Sequence, residues 1–444
     1  MKRNRTLASL LLLLPFSLLI AQGGPSSPVE LTVDDCVRMG LSYSKGLDSS
    51  RWEVEHSRFQ LKEVQASALP SLSLSGTYTR LSKTPSFGVT IPGSDSTFVL
   101  NPSIADNYSS QLTLKAPLFT GGKLSSLTTA ARSGLEAAKE LYNRDRKELV
   151  LTLRSSYWNL YRARELEGLI LENVELIKVH LEQVNRFYDQ GLAKTNEVLK
   201  VKVQLSSVEL KRVEATNGVR LASKTLASLL GLPLETTFAL KTDVQREIAG
   251  VRPVETLVEE ALRNRPEIKA ASHSIKAGEA QVKAAKGDLY PSLALLGNYT
   301  YARPNSRIMP VEEKFNDTWD VSLALSFDLW NWGIARHKAG QARARLIQSR
   351  DQSVALKDAV TLEVHQIYND TVQAVEKIKV AQEGVALAQE NYRITNERFK
   401  AGLTLNSELL DAEVALLQAK VDNTQSWIDY ELNKEKLKKA LGQE

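Results

Sequence analysis

Cysteine, histidine, long apolar runs and excess charge are all scarce in this chain, and each scarcity removes a class of function. The single cysteine, Cys36, cannot close an internal disulfide, so an exported fold must be held by packing. It follows Asp34 and Asp35 rather than small apolar residues, and reads as a buried side chain in a first short helix, not a lipid attachment site. His56, His180, His273, His337 and His365 lack metal-ligand spacing and read as surface residues. No nucleophile motif, phosphate loop or acid pair with a pocket to work in accompanies them. Catalytic residues, metals and cofactors are therefore expected to be none, and the chain is not read as an enzyme.

The 57 basic residues stand against 52 acidic ones. Three of the basic ones, Lys2, Arg3 and Arg5, lie at the extreme N-terminus, so the rest is close to neutral and nucleic acid is not an expected partner. Those three precede an apolar run from Leu10 to Ile20 and small or polar residues from Ala21, the pattern of a signal peptide over 1–21. No later stretch approaches twenty apolar residues, so no spanning helix is expected.

What the chain does contain, it contains twice. Residues 69–79, LPSLSLSGTYT, return at 290–300 as YPSLALLGNYT, seven identities in eleven positions. Pro117-Leu118-Phe119-Thr120-Gly121-Gly122 is answered by Asp328-Leu329-Trp330-Asn331-Trp332-Gly333, and Gly191-Leu192 by Gly402-Leu403. A unit of about 200 residues is too long for a solenoid repeat of about 20 to 50. It reads as two copies of one composite unit, 22–233 and 254–444, joined by a linker at 234–253.

Each unit opens with a short helix, at about 34–43 and 254–264, and a helix of about 22 residues that ends at Pro70 or Pro291. The period then becomes two: Leu72, Leu74 and Tyr78 against Ser71, Ser73 and Ser75, later Val321, Leu323, Leu325 and Phe327 against Ser322, Ala324 and Ser326. That alternation predicts strands with one apolar face, in β-hairpins at 71–117 and 292–328. Their loops, 81–107 and 303–317, are expected to be exposed tips. Proline is then absent from Lys123 to Gln190 and from Ile334 to Ala401. Three-and-four spacing runs through both stretches, as in Leu153, Tyr157 and Leu160, and predicts long helices on the order of 100 Å with coiled-coil-like packing. Each turns at a glycine into a return helix, 195–230 or 406–441, with Asn196 and Asn406 as candidate caps. The return helix and the pre-strand helix together nearly match the long helix. They are expected to stack beside it as one broken helix, with the first short helix and the linker as a belt at the junction.

Strands of about ten residues can cross a bilayer when tilted, whereas open sheet edges are not tolerated in lipid. Four strands are too few for a closed barrel, so several chains must contribute, and three would supply twelve strands and twelve helical columns. Phe119, Trp319, Trp330 and Trp332 fit aromatic girdles at the membrane interfaces, with Trp319 placed just before the fourth strand.

Two copies of a helix, a proline-bounded hairpin, the Pro/Asp-Leu-aromatic-x-x-Gly entry to a long helix and a Gly-Leu turn, with Asn-Arg-Pro-Glu-Ile at 264–268, resemble the TolC-type outer-membrane efflux protein family over nearly all of the chain after the leader. The resemblance implies an α+β membrane protein: a trimeric channel-tunnel whose 12-stranded transmembrane β-barrel, four strands per chain, continues as an α-helical coiled-coil barrel in the periplasm. It implies the outer-membrane channel of a tripartite efflux or type I secretion system, a passive duct. The partners are then two further copies, outer-membrane lipid, a periplasmic adaptor and an RND, ABC or MFS pump of the inner membrane. The competing reading is a non-channel periplasmic coiled-coil protein such as an adaptor, but adaptors lack duplicated amphipathic hairpins. By resemblance, Gly191, Leu192, Ala193, Gly402, Leu403 and Thr404 match tips that an adaptor recognises, and Glu197, Glu408 and Asp411 match acidic gate positions. Thr404 stands where an arginine can lock the entrance and Phe399 where a tyrosine stands, so a salt-bridged lock is not assumed.

Overall fold

The structure, a computed structural model, describes residues 28–83, 85–90, 92–93, 97–248, 250 and 252–443; the leader expected at 1–21 lies outside them. The first half runs β1 (Val29–Leu31), α1 (Val33–Tyr43), α2 (Lys45–Ala66), β2 (Ser71–Arg80), β3 (Phe87–Thr90), β4 (Thr97–Asn101), β5 (Asp106–Phe119), α3 (Lys123–Asp189), α4 (Thr195–Leu230) and β6 (Phe238–Leu240). The second runs α5 (Val254–Asn264), α6 (Pro266–Gly287), β7 (Ser292–Arg303), β8 (Asn316–Ser326), α7 (Ile334–Lys400) and α8 (Asn406–Ala440). No helix among the described residues is long and apolar enough to cross a membrane.

The main sheet is ordered β2-β5-β7-β8 and antiparallel throughout, so the central β5/β7 pair joins the two halves and β2 and β8 are its edges. Two differences from the sequence reading concern strands. The segment 81–107 is not all loop, because β3 and β4 pair as a hairpin in which Phe87, Val89 and Val99 supply β-favouring side chains. Trp319 does not precede the fourth strand; it is the fourth residue of β8 and pairs with Tyr299, because Asn316 already bonds in register with Ala302.

The helices form a curtain of four columns. α3 and α7, each 67 residues, are the long members. α3 is flanked on one side by α4 and α2 and on the other by α8 and α6, and α7 packs on the far side of that second column. The end-to-end stacking is direct. Gly442, at φ +71°, is so close to α5's end that a Cβ there would meet the Asn264 carbonyl at 3.0 Å, and Gly231 similarly abuts the Tyr43 ring. The sheet joins the curtain at Gly121, φ +61°, where a Cβ would lie 2.4 Å from the Gly287 carbonyl oxygen. Only glycine lets the start of α3 approach the end of α6 this closely.

A belt closes around the column junctions. Parallel strands β1 and β6 and helix α1 cover the middle of α3, burying Leu31, Cys36, Leu153, Tyr157, Leu226 and Phe238 in one cluster. The Tyr157 hydroxyl accepts from the Thr242 amide at 2.9 Å and so ties the linker to the long helix. In the second half, Arg265 of the Asn-Arg-Pro-Glu-Ile segment is buried and holds Glu363 on α7 at 2.6 Å and Glu267 at 2.8 Å, while Lys439 on α8 shares Glu363 at 3.4 Å.

Candidate functional site

The two far ends of the curtain are helical hairpins. Gly191 and Gly402 adopt φ of +75° and +72°, after which the Leu192 amide returns to the Phe187 carbonyl and the Leu403 amide to the Arg398 carbonyl, each at 2.8 Å. This closure satisfies helix-end carbonyls without any side chain. It leaves Leu192 74% and Leu403 69% exposed, with Leu405 beside them at 66%. Ala193 and Thr404 are half-buried.

The three acidic candidates lie just inside the return helices. Glu197 is half-buried and pairs with Lys200 at 3.5 Å. Glu408 is exposed and accepts from the Thr404 hydroxyl, and Asp411 is exposed one turn on. The expected asparagine caps are not present. Lys194 and Leu405, in extended backbone, precede α4 and α8 and provide no side-chain cap. Asn196 therefore sits inside the helix. Asn406 is buried and gives its Nδ2 to the Glu197 carbonyl at 3.2 Å, which ties the two tips of one chain together.

His180 is not a surface residue: it is 3% exposed, and its Nδ1 lies 3.1 Å from Oε2 of Glu413, itself 1% exposed. Its ring meets Phe399 edge-on at 5.2 Å, and Phe399 also packs on Phe187. Burial pushes the Glu413 carboxyl above its ordinary range, opposed by the hydrogen bond and charge of His180. Tyr392 is raised as well, by burial and by Glu413. No local spacing could reveal this pair, because its members are 233 residues apart. With Lys420 and Glu172 at 2.7 Å, it stitches α3 of the first half to α8 of the second.

At the other end, one face of the sheet is largely apolar, and its edge strands are bare. Leu72, Leu74, Leu323 and Leu325 are all exposed, as are Trp319 and Val321. The run from Trp319 to Phe327 extends about 25 Å along the chain, which at a tilt of about 40° spans most of the height of an outer-membrane apolar band. Trp330 and Trp332 lie beyond its inner end, 77% and 82% exposed and in edge contact at 5.6 Å. A bulge between Pro117 and Phe119 brings Phe119 opposite Leu293, on the same apolar face. Near the hairpin ends the sequence reading missed an aromatic cluster: Tyr78 on Tyr108 at 5.0 Å, and Phe315 against Tyr108 and stacked on Tyr301. Tyrosines at alternate positions close to the strand ends were the available signal. The opposite face is polar, with Ser73, Thr113, Asn298 and Ser322 at successive strands. No group of acidic, histidine or cysteine side chains able to hold a metal occurs among the described residues.

Comparisons with known proteins agree with this geometry. A profile of the family described as outer membrane efflux protein matches residues 39–232 and 257–443, one segment in each half. The alkaline protease secretion protein AprF of Pseudomonas aeruginosa is 22% identical over 331 residues, covering 73% of this chain and 67% of AprF. The outer membrane protein TolC of Escherichia coli is 22% identical over 344 residues, covering 75% and 69%. The toluene efflux pump outer membrane protein TtgC of Pseudomonas putida is 23% identical over 428 residues, covering 91% and 82%. Among solved structures, the outer membrane protein VceC from Vibrio cholerae superposes with a TM-score of 0.78 at 20% identity, covering 93% of this chain and 96% of VceC. The channel CusC gives 0.79 at 19%, covering 93% and 92%. With both halves matched and the fold shared end to end, this chain belongs to the outer membrane efflux protein family: it is an outer-membrane channel for export, a duct and not an enzyme.

Proposed function

We propose that three copies close into one ring, that the hairpin tips are its periplasmic entrance and adaptor-docking surface, and that Glu197, Glu408 and Asp411 control ions there. The observation that carries the reading is that one chain ends in open edges at both levels. Among the described residues, β2 and β8 each have a strand partner on one side only, and an unpaired edge beside lipid leaves backbone groups unsatisfied. In the curtain, the outer columns carry bare apolar stripes: Leu199, Val203 and Leu210 on α4, and Val380, Leu387 and Ile394 on α7, the latter at heptad spacing. Pairing β2 with a neighbour's β8, and α4 with a neighbour's α7, satisfies both. Three copies reach twelve strands and twelve columns; two would reach only eight.

In such a ring, Glu408 and Asp411 contribute six carboxylates near the axis, a cation-attracting constriction. The exposed leucines of the Gly191-Leu192-Ala193 and Gly402-Leu403-Thr404 turns offer an adaptor an apolar foothold, and Phe119, Trp319, Trp330 and Trp332 seat the sheet at the lipid interfaces. The adaptor links the tips to an RND, ABC or MFS pump. Relatives named for protease secretion and for toluene efflux suit a passive duct whose cargo the pump selects. The trimer reconstituted in planar bilayers should prefer cations, and Glu408→Gln with Asp411→Asn should reduce that preference. Unchanged selectivity would return these acids to the simpler role of favouring a helix start. A detergent-free monomer that conducts nothing would sink the channel assembly itself.

A further inference from the structure

The polar face of the sheet carries a linked set of side chains near its outer end. Gln111 Nε2 and Thr113 Oγ1 both donate to Asn298 Oδ1, at 3.1 and 2.9 Å. Asn298 Nδ2 donates to Asp320 Oδ2 at 3.0 Å, and Asp320 Oδ1 takes Arg307 at 2.8 Å. Arg307 belongs to no strand; it lies in the connection between β7 and β8. Asn305 supplies a second anchor. It is 3% exposed, its Nδ2 donates to the Asn316 carbonyl at 3.1 Å and to Thr318 Oγ1 at 3.2 Å, and its Oδ1 accepts from the Arg307 amide at 3.1 Å. Thr318 and Asp320 alternate with Trp319 along β8, so both occupy the polar face. A connection that merely bridged two strand ends would reach neither. This one turns Asn305 and Arg307 down onto the polar face, while beyond them the Val311 amide donates to the Leu100 carbonyl at 3.4 Å and Glu313 pairs at 2.6 Å with Arg303, whose guanidinium lies over the Tyr108 ring on the other face.

Size gives this fold-back a consequence. Twelve strands about 4.8 Å apart and tilted by about 40° close with a backbone radius on the order of 12 Å. A chain segment lying on a sheet face occupies about 10 Å, so three of them would take up much of the bore. We propose that residues 304–311 are a strap narrowing the outer mouth of the channel, with Asn305 and Arg307 as its positioning residues on Thr318 and Asp320, and that three straps set the size limit for what leaves. This rests on the three-chain ring proposed above.

Thiol accessibility from the outer face tests it. Ser322→Cys places a thiol on the polar face two residues inward of Asp320, and Cys36, 0% exposed, contributes no background. In the assembled trimer a small maleimide applied from outside should label position 322, while one carrying a polymer of several kilodaltons should be excluded. Adding Asp320→Asn or Arg307→Ala should raise labelling by the large reagent about tenfold or more, the scale expected when a charge-assisted bond is lost. Labelling by the small reagent should stay unchanged, and Arg307→Lys should restore most of the exclusion. Equal large-reagent labelling with and without the anchor overturns the strap and leaves the channel intact. Failure of even the small reagent to reach position 322 overturns the lumen assignment and the strap together. If the charge variants do not assemble, Asn305→Ala loosens the other anchor, and its labelling decides the matter in the same way.

Discussion

Cys36 and His180 illustrate how far a single side chain can be read in isolation. Cys36 packs in the belt with its thiol 3.6 Å from the Leu153 carbonyl, and burial pushes its pKa up to about 12. At pH 8 the folded channel should therefore resist thiol reagents, and a mass shift of one adduct should appear only in denaturant. Its burial was legible because small side chains in an amphipathic short helix usually face inward. His180 was not legible, since what removes it from water is a glutamate in the other half of the chain. Glu413→Ala strands a buried imidazole, with a cost of about 3 kcal/mol by analogy with other broken buried pairs. The thermal transition of the detergent-solubilised protein should fall by several degrees, and less in the double variant His180→Leu with Glu413→Leu, which removes both polar groups.

Elements followed from periodicity where the period was long and uninterrupted. Helices α3 and α7 are traced by three-and-four spacing over 67 residues each, and β2 and β8 by alternation of apolar and polar residues. The β3/β4 hairpin was missed because it is short and set among loop-forming residues. Asn196 and Asn406 are good caps locally, but after the glycine turns α4 starts two positions earlier than an Asn196 cap requires and α8 one position earlier than an Asn406 cap requires. At this scale the junction of α5, α6, α7 and α8 makes a pH prediction. Burial would raise the Glu363 carboxyl, but the hydrogen bond and charge of Arg265, with Lys439, outweigh it and the net shift is downward. A lowered folded pKa means that the contribution is present above the unfolded carboxylate range, about 4.3, and is lost as pH falls through the folded value. Wild type should thus melt higher than Glu363→Gln at pH 7, and the difference should vanish in strong acid.

The whole molecule is defined by what one chain leaves unfinished. A charged residue on either bare stripe, Val203→Glu on α4 or Leu387→Glu on α7, should reduce the cross-linked trimer in detergent while leaving monomer helicity by circular dichroism unchanged. Full trimer from both variants would place the contact elsewhere. The sequence by itself determined the duplication, the order and length of the elements, and the alternation that gives the sheet one apolar face, because each is a local periodic property that backbone geometry converts directly into a surface. Only the tertiary structure decided which columns are neighbours, that His180 and Asn406 are interior links between halves, and that the β7/β8 connection folds onto the polar face. Those outcomes depend on contacts between residues far apart in the chain or on the path of an irregular loop, and neither has a period to read.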